Sequence, residues 1–350
     1  MQLKDLIPKE FLEQFKMTET KEPFVHQFEK YMNQYIETTL KVRSKKLQES
    51  KDQKKFLLLT LEDKTGSVRA VDWYNAEFND NRLKEGDIIR VKGKVVFFEE
   101  RIQLNVDKPV DSIKILPDGE YDPNRFVETV KKDVEYLYRK LLNFIGSIKD
   151  KEIKAILREF FVNDKEFLKK FLKAPAGMKV HHAYLGGLLE HSVSVAELCD
   201  YAWRMYRDLV NRDLLIAGAL LHDVGKVYEY EVTSKGIEVT TEGELRGHIT
   251  IGVALLWEKA KKIDIQDEKV LELEHMIISH HGELEWGSPI IPKTPEAFLL
   301  HHVENLDAKM SRFREISEKE KKSDSNKSWS DYDRNLGRRI FLRRLGNKGE

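Results

Sequence analysis

The sequence has a single cysteine, no net charge and no long apolar run. One cysteine in 350 residues, Cys199, excludes an intrachain disulfide and is typical of a reducing compartment. Sixty basic and sixty acidic residues cancel, so a polyanionic partner must bind to a local patch. No apolar stretch approaches the ~18 residues of a membrane-spanning helix, and residues 1–5 lack the apolar core of a signal peptide. These absences predict a cytoplasmic protein with no membrane partner.

The hydrophobic pattern changes near residue 117, which predicts two domains. Residues 23–116 contain about five short β-rich runs separated by turn residues, such as the Asp-Lys-Thr-Gly at 63–66, and predict a small β-barrel. Residues 125–322 have helical periodicity, interrupted by one predicted hairpin between Tyr228 and Glu244. We predict an N-terminal extension at 1–22, a linker at 117–124 and a C-terminal segment at 323–350, with a final helix or strand from about residue 331.

Ligand-type side chains occupy core positions in three predicted amphipathic helices. His191, His280 and Asp307 each follow apolar residues at helical spacings of three and four. Taken singly, a histidine in such a stripe is usually a hydrogen-bonded core residue, and Asp307 could pair with an arginine. An unpaired buried carboxylate costs several kcal/mol, so Asp307 needs a cation or several donors beside it.

The stretch Leu-Leu-His-Asp-Val-Gly-Lys at 220–226 adds a fourth set. His222 and Asp223 end the apolar run 214–221, and helical steps back from both reach apolar residues or glycine, so both are predicted to point inward. Imidazole and carboxylate together suit a divalent metal. The coincidence of the three stripes with this pair therefore predicts a shared metal site.

The order of these residues resembles the HD-domain metal-dependent phosphohydrolase superfamily. That resemblance implies a first ion held by His191, His222, Asp223 and Asp307, and a second held by His248, His280 and His281, with Asp223 bridging. It implies catalytic roles for Asp223, His222 and Lys226, although Lys226 can equally be a solvated lysine after a helix end. His281 is the least regular ligand, because a continuing helix would turn it about 100° away from His280.

Two ions about 4 Å apart activate a bridging water and stabilise the charge on both oxygens of an in-line displacement. The predicted reaction is therefore phosphoester hydrolysis. Residue types alone do not choose among Mn²⁺, Mg²⁺, Fe²⁺, Co²⁺ and Zn²⁺.

Longer motifs resemble a narrower family, the YhaM-type 3′–5′ exoribonucleases. They are HHAYLGGLLEHSVSVAE at 181–197, LLHDVGKV at 220–227, RGHI at 246–249, SHHGELEWGSP at 279–289, ENLDAKM at 304–310 and YDRNLGRRIF at 332–341. The resemblance covers about residues 20–345. It implies an N-terminal OB-fold followed by an all-α HD domain, Mn²⁺ as the usual metal, and release of mononucleotides from the 3′ end of single-stranded RNA and also single-stranded DNA.

The same family points to four residues near the site, His182, Glu190, Trp286 and His301. Each has an alternative: His182 can brace the helix start, Trp286 can be packing, and His301 can orient a neighbour or lie on the surface. A stacking Trp286 would hold the terminal base with ~1–3 kcal/mol, whatever that base is.

RNA binding is predicted for the barrel, because a basic run at 41–55 includes Lys45 and Lys46, and Trp73 can stack on a base. Such a run is usually a solvated loop. We also expect a homo-oligomer, since several copies of one barrel and one active site would bind RNA with a higher affinity than a single copy.

Two other functions stay open on the sequence. One is an HD phosphatase or phosphodiesterase for free or cyclic nucleotides, although the Gly-Tyr-Pro signature of the cyclic dinucleotide branch is absent after His281. The other is a nucleic-acid-binding regulator without turnover, although no expected ligand is missing.

Overall fold

The computed structural model describes residues 22–117, 119–127, 129–178, 182–233, 236–265, 267–322 and 328–342. Among these, one unit comprises 22–129 with 231–238, and the other comprises 130–230 with the residues from 239 onwards. The predicted domain boundaries near residues 22, 117, 125 and 323 stay a prediction. Residues 1–21 of the predicted extension lie outside the described residues.

Six strands form the N-terminal unit: β1 (Tyr35–Glu49), β2 (Lys55–Asp63), β3 (Gly66–Asp72), β4 (Ile88–Phe98), β5 (Arg101–Val106) and β6 (Ile113–Ile115). Strand β1 pairs with both β2 and β4, which closes the sheet in the order β1-β2-β3-β5-β4. Only the β3–β5 pairing is parallel within the barrel, and helix α1 (Ala76–Arg82) connects β3 to β4. This confirms the predicted OB-type barrel.

Alternation along the strands builds the barrel core. Leu57, Leu59 and Leu61 of β2 are fully buried, whereas the residues between them lie on the outer face. At Gly93 of β4 a side chain would lie 2.5 Å from the carbonyl oxygen of Asn105, so only glycine lets β5 pair this closely.

The second unit is helical, as predicted. Its helices are α2 (Val134–Ser147), α3 (Lys151–Arg158), α4 (Lys165–Lys173), α5 (Gly187–Trp203), α6 (Arg212–Leu221), α7 (Lys226–Glu229), α8 (Thr241–Lys262), α9 (Asp267–Ser279) and α10 (Pro295–Lys322). Helix α6 is the central element: residues 214–221 are all buried, and α5, α9 and α10 pack against it. Asn211 caps α6 by accepting hydrogen bonds from the amides of Asp213 and Leu214. The predicted hairpin is also present as β7 (Tyr230–Thr233) and β8 (Gly236–Val239), and its residues 231–238 are grouped with the first unit.

Within the described ranges, no helix combines the length and apolar character needed to cross a membrane. The only cysteine, Cys199, is fully buried on α5, and burial raises the pKa of its thiol.

The described part of the C-terminal segment, residues 328–342, forms neither the predicted helix nor a strand. Residues 328–342 form a turn joined by two isolated bridges, Trp329 with Phe341 and Asp333 with Arg338. A side-chain oxygen of Asp333 accepts the amide of Leu336, and Gly337 has φ 64°, so the backbone reverses here. Residues 343–350 of the segment lie outside the described residues.

Candidate metal centre

His222 and Asp223 stand directly after the last turn of α6, and both are buried. The His222 ring donates from Nδ1 to the carbonyl oxygen of Ala219 at 2.9 Å, which leaves Nε2 facing away from the helix. A side chain at Gly225 would lie 1.9 Å from the carbonyl oxygen of His248. The glycine of the His-Asp-Val-Gly-Lys stretch therefore allows α8 to bring His248 against this turn.

The Asp223 carboxylate lies between two groups of histidines. Its Oδ2 is 3.4 Å from His222 Nε2 and 3.6 Å from His191 Nε2. Its Oδ1 is 3.6 Å from His280 Nε2 and 3.7 Å from His248 Nε2. Donors bound at ~2.1 Å to one ion stand about 3.0–3.4 Å apart. The observed separations of 3.4 to 3.7 Å lie at or slightly beyond the upper end of that range, so a small inward shift of the side chains would let one ion bind beside each oxygen.

A glycine that breaks helix α8 positions His248. Gly247 has φ 66° inside this helix, so His248 begins a new helical segment. Both the amide and Nδ1 of His248 donate to the same Glu229 oxygen at 3.0 Å. Glu229 is a residue that the sequence analysis missed, because a carboxylate at the end of a short helix carries no periodic signal.

His281 joins the second group because helix α9 ends before it. The helix stops at Ser279, and Gly282 with φ 77° turns the chain, so the 100° rotation expected of a continuing helix does not apply. The ligand atoms of His248, His280 and His281 lie within 4.8 Å of one another. The Nδ1 atoms of His280 and His281 donate to the carbonyls of Ile277 and Trp286 and leave Nε2 available.

The residues fit divalent ions on three counts. Asp223 Oδ1 and His248 Nε2 are buried without a hydrogen-bond partner among the described residues, which is costly unless a cation binds them. Burial opposes the charge on Asp223, but Lys226 and His222 outweigh it and hold the pKa of this carboxyl well below its usual range. Burial lowers the pKa of His280 well below its usual range and that of His281 to about 4, so both rings are neutral, as a ligand must be.

Asp307 lies on the other side of His191. Its Oδ2 is 2.9 Å from His191 Nδ1 and 3.3 Å from His182 Nε2, and Ser194 donates to its Oδ1. Among the described residues, Asp307 therefore forms a donor group with His182 and His191, and a second group contains His191, His222 and Asp223. His191 contributes a different ring nitrogen to each group.

A hydrogen-bonded chain leads from Asp307 to the surface. His182 Nδ1 is 2.8 Å from the Tyr184 hydroxyl, which donates to Glu190, and Lys132 binds the other Glu190 oxygen at 2.8 Å. Burial opposes the Glu190 charge, but His182 and Lys132 lower its pKa to about 2. This chain brings the predicted His182 and Glu190 behind the metal ligands, and it uses Tyr184 and Lys132, which the sequence analysis missed.

His301 braces the loop that carries the second histidine group. It is buried and donates from Nδ1 to the His280 carbonyl at 3.0 Å. A side chain at Gly282 would lie 2.2 Å from the His301 ring, so glycine is required for this contact. Trp286, in contrast, is 54% exposed and lines a cavity next to His281. Glu304 lines the same cavity, and burial, with Asp223 and Asp307, raises its pKa to about 7 against the opposing effect of His222.

The predicted RNA-binding residues of the barrel differ in their exposure and in their ion pairing. Lys45 Nζ is 2.9 Å from Asp80 Oδ1, so its charge is already paired, whereas Lys46 is exposed. Trp73 is 45% exposed, and its ring centroid lies 4.6 Å from that of Phe56. These two rings form a small aromatic platform on the outer surface of the barrel.

We expect Glu229→Gln to weaken metal binding at the second group by about 10- to 100-fold, because partners that orient a ligating histidine contribute this much. The neutral amide is a poorer acceptor for His248 Nδ1 than the carboxylate. Calorimetric titration of Mn²⁺ measures the effect, with the exposed Glu244→Gln as the matched control. An unchanged affinity would show that Glu229 does not orient His248 for a metal.

Two family models match the chain. The HD domain matches residues 188–309, and the OB-fold nucleic acid binding domain matches residues 39–115. All predicted metal ligands fall within the first match.

The chain is also similar to individual proteins. It is 36% identical over 269 residues to the 3′-5′ exoribonuclease YhaM of Geobacillus sp. (strain WCH70), a match that covers 77% of this chain and 80% of that protein. The second OB-fold domain of replication protein A from Methanococcus maripaludis is 31% identical, covering 26% of this chain and 92% of its own, with a TM-score of 0.20. The aspartyl tRNA synthetase of Entamoeba histolytica is 12% identical, covering 55% and 38%, with a TM-score of 0.23.

Proposed function

Since the chain belongs to the YhaM family of 3′-5′ exoribonucleases and is a hydrolase of the HD superfamily, we propose that it uses two divalent ions to release nucleoside 5′-monophosphates from single-stranded RNA. The observation that carries the two-ion proposal is the Asp223 carboxylate, whose two oxygens each face a separate pair of histidine nitrogens. Oδ2 also accepts a hydrogen bond from Lys226, whereas the buried Oδ1 has no partner among the described residues, so a single ion beside Oδ2 would leave Oδ1 unsatisfied.

The first ion is assigned to His191, His222 and Asp223, and the second to Asp223, His248, His280 and His281. Asp307 stands beside His191, where its carboxylate can bind the first ion or orient the His191 ring. When bound, such ions supply a hydroxide from a shared water and bind phosphate oxygens. Mn²⁺ is our first choice, and the nitrogen and oxygen donors also suit Mg²⁺, Co²⁺, Fe²⁺ or Zn²⁺.

In the proposed reaction a water oxygen bonds to the last phosphorus, and the bond from that phosphorus to the preceding 3′ oxygen breaks. The leaving oxygen takes a proton, so the products are a shortened RNA and a 5′-monophosphate. Lys226 Nζ is 2.7 Å from Asp223 Oδ2 and half-buried, which supports a role in which its charge contacts a phosphate oxygen of the substrate. His222 acts as a fixed ligand, because its Nδ1 is held by Ala219.

The barrel is proposed to hold the RNA, and single-stranded DNA as well, through sequence-independent contacts. Lys46 offers a free charge, and the Trp73 and Phe56 rings offer a stacking surface. Lys45 contributes less than predicted from the sequence, since Asp80 already neutralises it. A homo-oligomer and a cytoplasmic location stay predictions from the sequence.

Trp73→Ala should raise KM for a long single-stranded RNA by about 5- to 150-fold, because a stacked base contributes ~1–3 kcal/mol. The turnover number should not change, since Trp73 belongs to the barrel unit and the ligands to the helical unit. Steady-state kinetics measure KM and the turnover number separately, first on a long RNA and then on a dinucleotide. The control is Tyr201→Ala, which removes an exposed aromatic side chain of the helical unit. A KM for long RNA equal to that of the wild type would show that Trp73 does not bind RNA.

The direct test is a time course with 5′-labelled single-stranded RNA and Mn²⁺, beside single-stranded DNA, a cyclic dinucleotide and a mononucleotide. Progressive shortening from the 3′ end, with a 5′-monophosphate as product, is the expected result. Intact RNA with a consumed small nucleotide would replace the exonuclease by a nucleotide phosphatase or phosphodiesterase. No turnover of any substrate would leave a nucleic-acid-binding protein with a structural metal.

A further inference from the structure

A cavity of about 550 Å³ adjoins the second histidine group, because His281 is one of its lining residues. Helix α10 contributes Glu304, Asn305 and Lys309 to its lining. The C-terminal segment contributes Asn335 and Leu336. The volume lies in the ~300–1,000 Å³ range of sites that bind small organic ligands.

The C-terminal wall is anchored to the same helix that carries Asp307. Arg312 of α10 donates to Asp333 Oδ2 from Nε at 3.0 Å and from Nη2 at 2.7 Å, so two charge-assisted hydrogen bonds meet at one carboxylate oxygen. Asp333 in turn accepts the amide of Leu336 at 2.9 Å. Leu336 and Ile340 are buried, so these two side chains, together with Asp333, anchor a segment whose other residues are mostly exposed.

The lining groups match the parts of a nucleoside. The half-exposed Trp286 offers an aromatic face for a base, and Lys309 Nζ lies 5.8 Å from its ring centroid. The amides of Asn305 and Asn335 can both donate to and accept from ribose hydroxyls. The phosphate end would face His281, because that is where the cavity meets the predicted metal ligands.

We propose that this cavity binds the 3′-terminal nucleoside of the RNA, and that the C-terminal segment forms the wall that holds it. The inference rests on the proposed function. Trp286 stacks on the terminal base, and Asn335 borders the ribose. The leaving RNA strand lies outside the cavity, so each cycle requires only the 5′-monophosphate to leave it.

Two variants test the cavity from opposite sides. Trp286→Ala removes the stacking face, and Asn335→Trp fills the cavity from an exposed turn position, where the larger side chain can be accommodated. The substrates are two RNA oligomers that differ only in whether the last nucleotide carries its base or is abasic. Asn143→Trp, on the exposed surface of α2, is the matched control for added bulk.

The wild-type protein should prefer the oligomer with the base by about 5- to 150-fold in kcat/KM, the equivalent of one stacked base. Both variants should reduce this preference to less than about 3-fold, while Asn143→Trp keeps it. In each variant the Mn²⁺-induced rise in melting temperature should equal that of the wild type, which verifies the fold and the metal centre. A wild type without the preference, or variants that retain it, would overturn the nucleoside site.

A separate binding measurement distinguishes this inference from the exonuclease proposal. Adenosine 5′-monophosphate should quench the tryptophan fluorescence of the Mn²⁺-loaded protein, and it should quench Trp286→Ala and Asn335→Trp much less. Absence of RNA shortening by the wild type, with this quenching present, would reject the exonuclease but retain the nucleotide site. RNA shortening without any quenching difference between the proteins would do the reverse.

Discussion

Asp223→Ala is expected to lower kcat/KM for RNA hydrolysis by at least about 10³-fold. Asp223 is the residue whose oxygens face both histidine groups, at 3.4 to 3.7 Å from four ring nitrogens. A metal contributes several kcal/mol of transition-state stabilisation, and each ~1.4 kcal/mol corresponds to a tenfold rate change. The measurement is the initial rate of mononucleotide release with saturating Mn²⁺.

The control for this variant is Asp208→Ala, which removes an exposed carboxylate of the same helical unit. Far-ultraviolet circular dichroism must show that both proteins fold. A folded Asp223→Ala protein that still releases mononucleotides at the wild-type rate would reject the bridging assignment and, with it, the two-ion proposal.

Removal of divalent metal is expected to lower the melting temperature of the helical unit by about 5–10 °C. Without an ion, the buried Asp223 Oδ1 and His248 Nε2 have no partner among the described residues. A ligand at 100 times its Kd stabilises the folded state by ~2.7 kcal/mol. For a unit of this size each kcal/mol shifts Tm by ~2–4 °C. Calorimetry with excess Mn²⁺ and with a chelator measures the shift.

His280→Ala should lose most of this shift, because His280 is fully buried with its Nε2 directed at Asp223. His302→Ala removes an exposed histidine of α10 and should retain it. Equal melting temperatures with and without metal would mean that the histidine groups are satisfied by protein contacts alone.

Much of the site could be predicted from the sequence because helical periodicity reports which face of a helix is buried. His191, His280 and Asp307 stand in apolar stripes, and the structure places all three in buried positions. The barrel could also be predicted from the sequence, because the alternation of buried and outward-facing residues, as at Leu57, Leu59 and Leu61, is a local pattern. The C-terminal segment was predicted wrongly, since its backbone reversal depends on Asp333, Gly337 and an anchor on a distant helix.

By itself, the sequence determined the chemical types of the site: the histidines and carboxylates, the helices that carry most of them, and the barrel that precedes them. These follow from residue identity and from contacts between neighbours three or four positions apart. The tertiary structure alone decided that Glu229 holds His248 and that Asp307 meets the Nδ1 atom of His191. Those contacts join residues far apart in the chain, and the packing of α5, α6, α8 and α10 selects them. No local pattern encodes which buried face meets which.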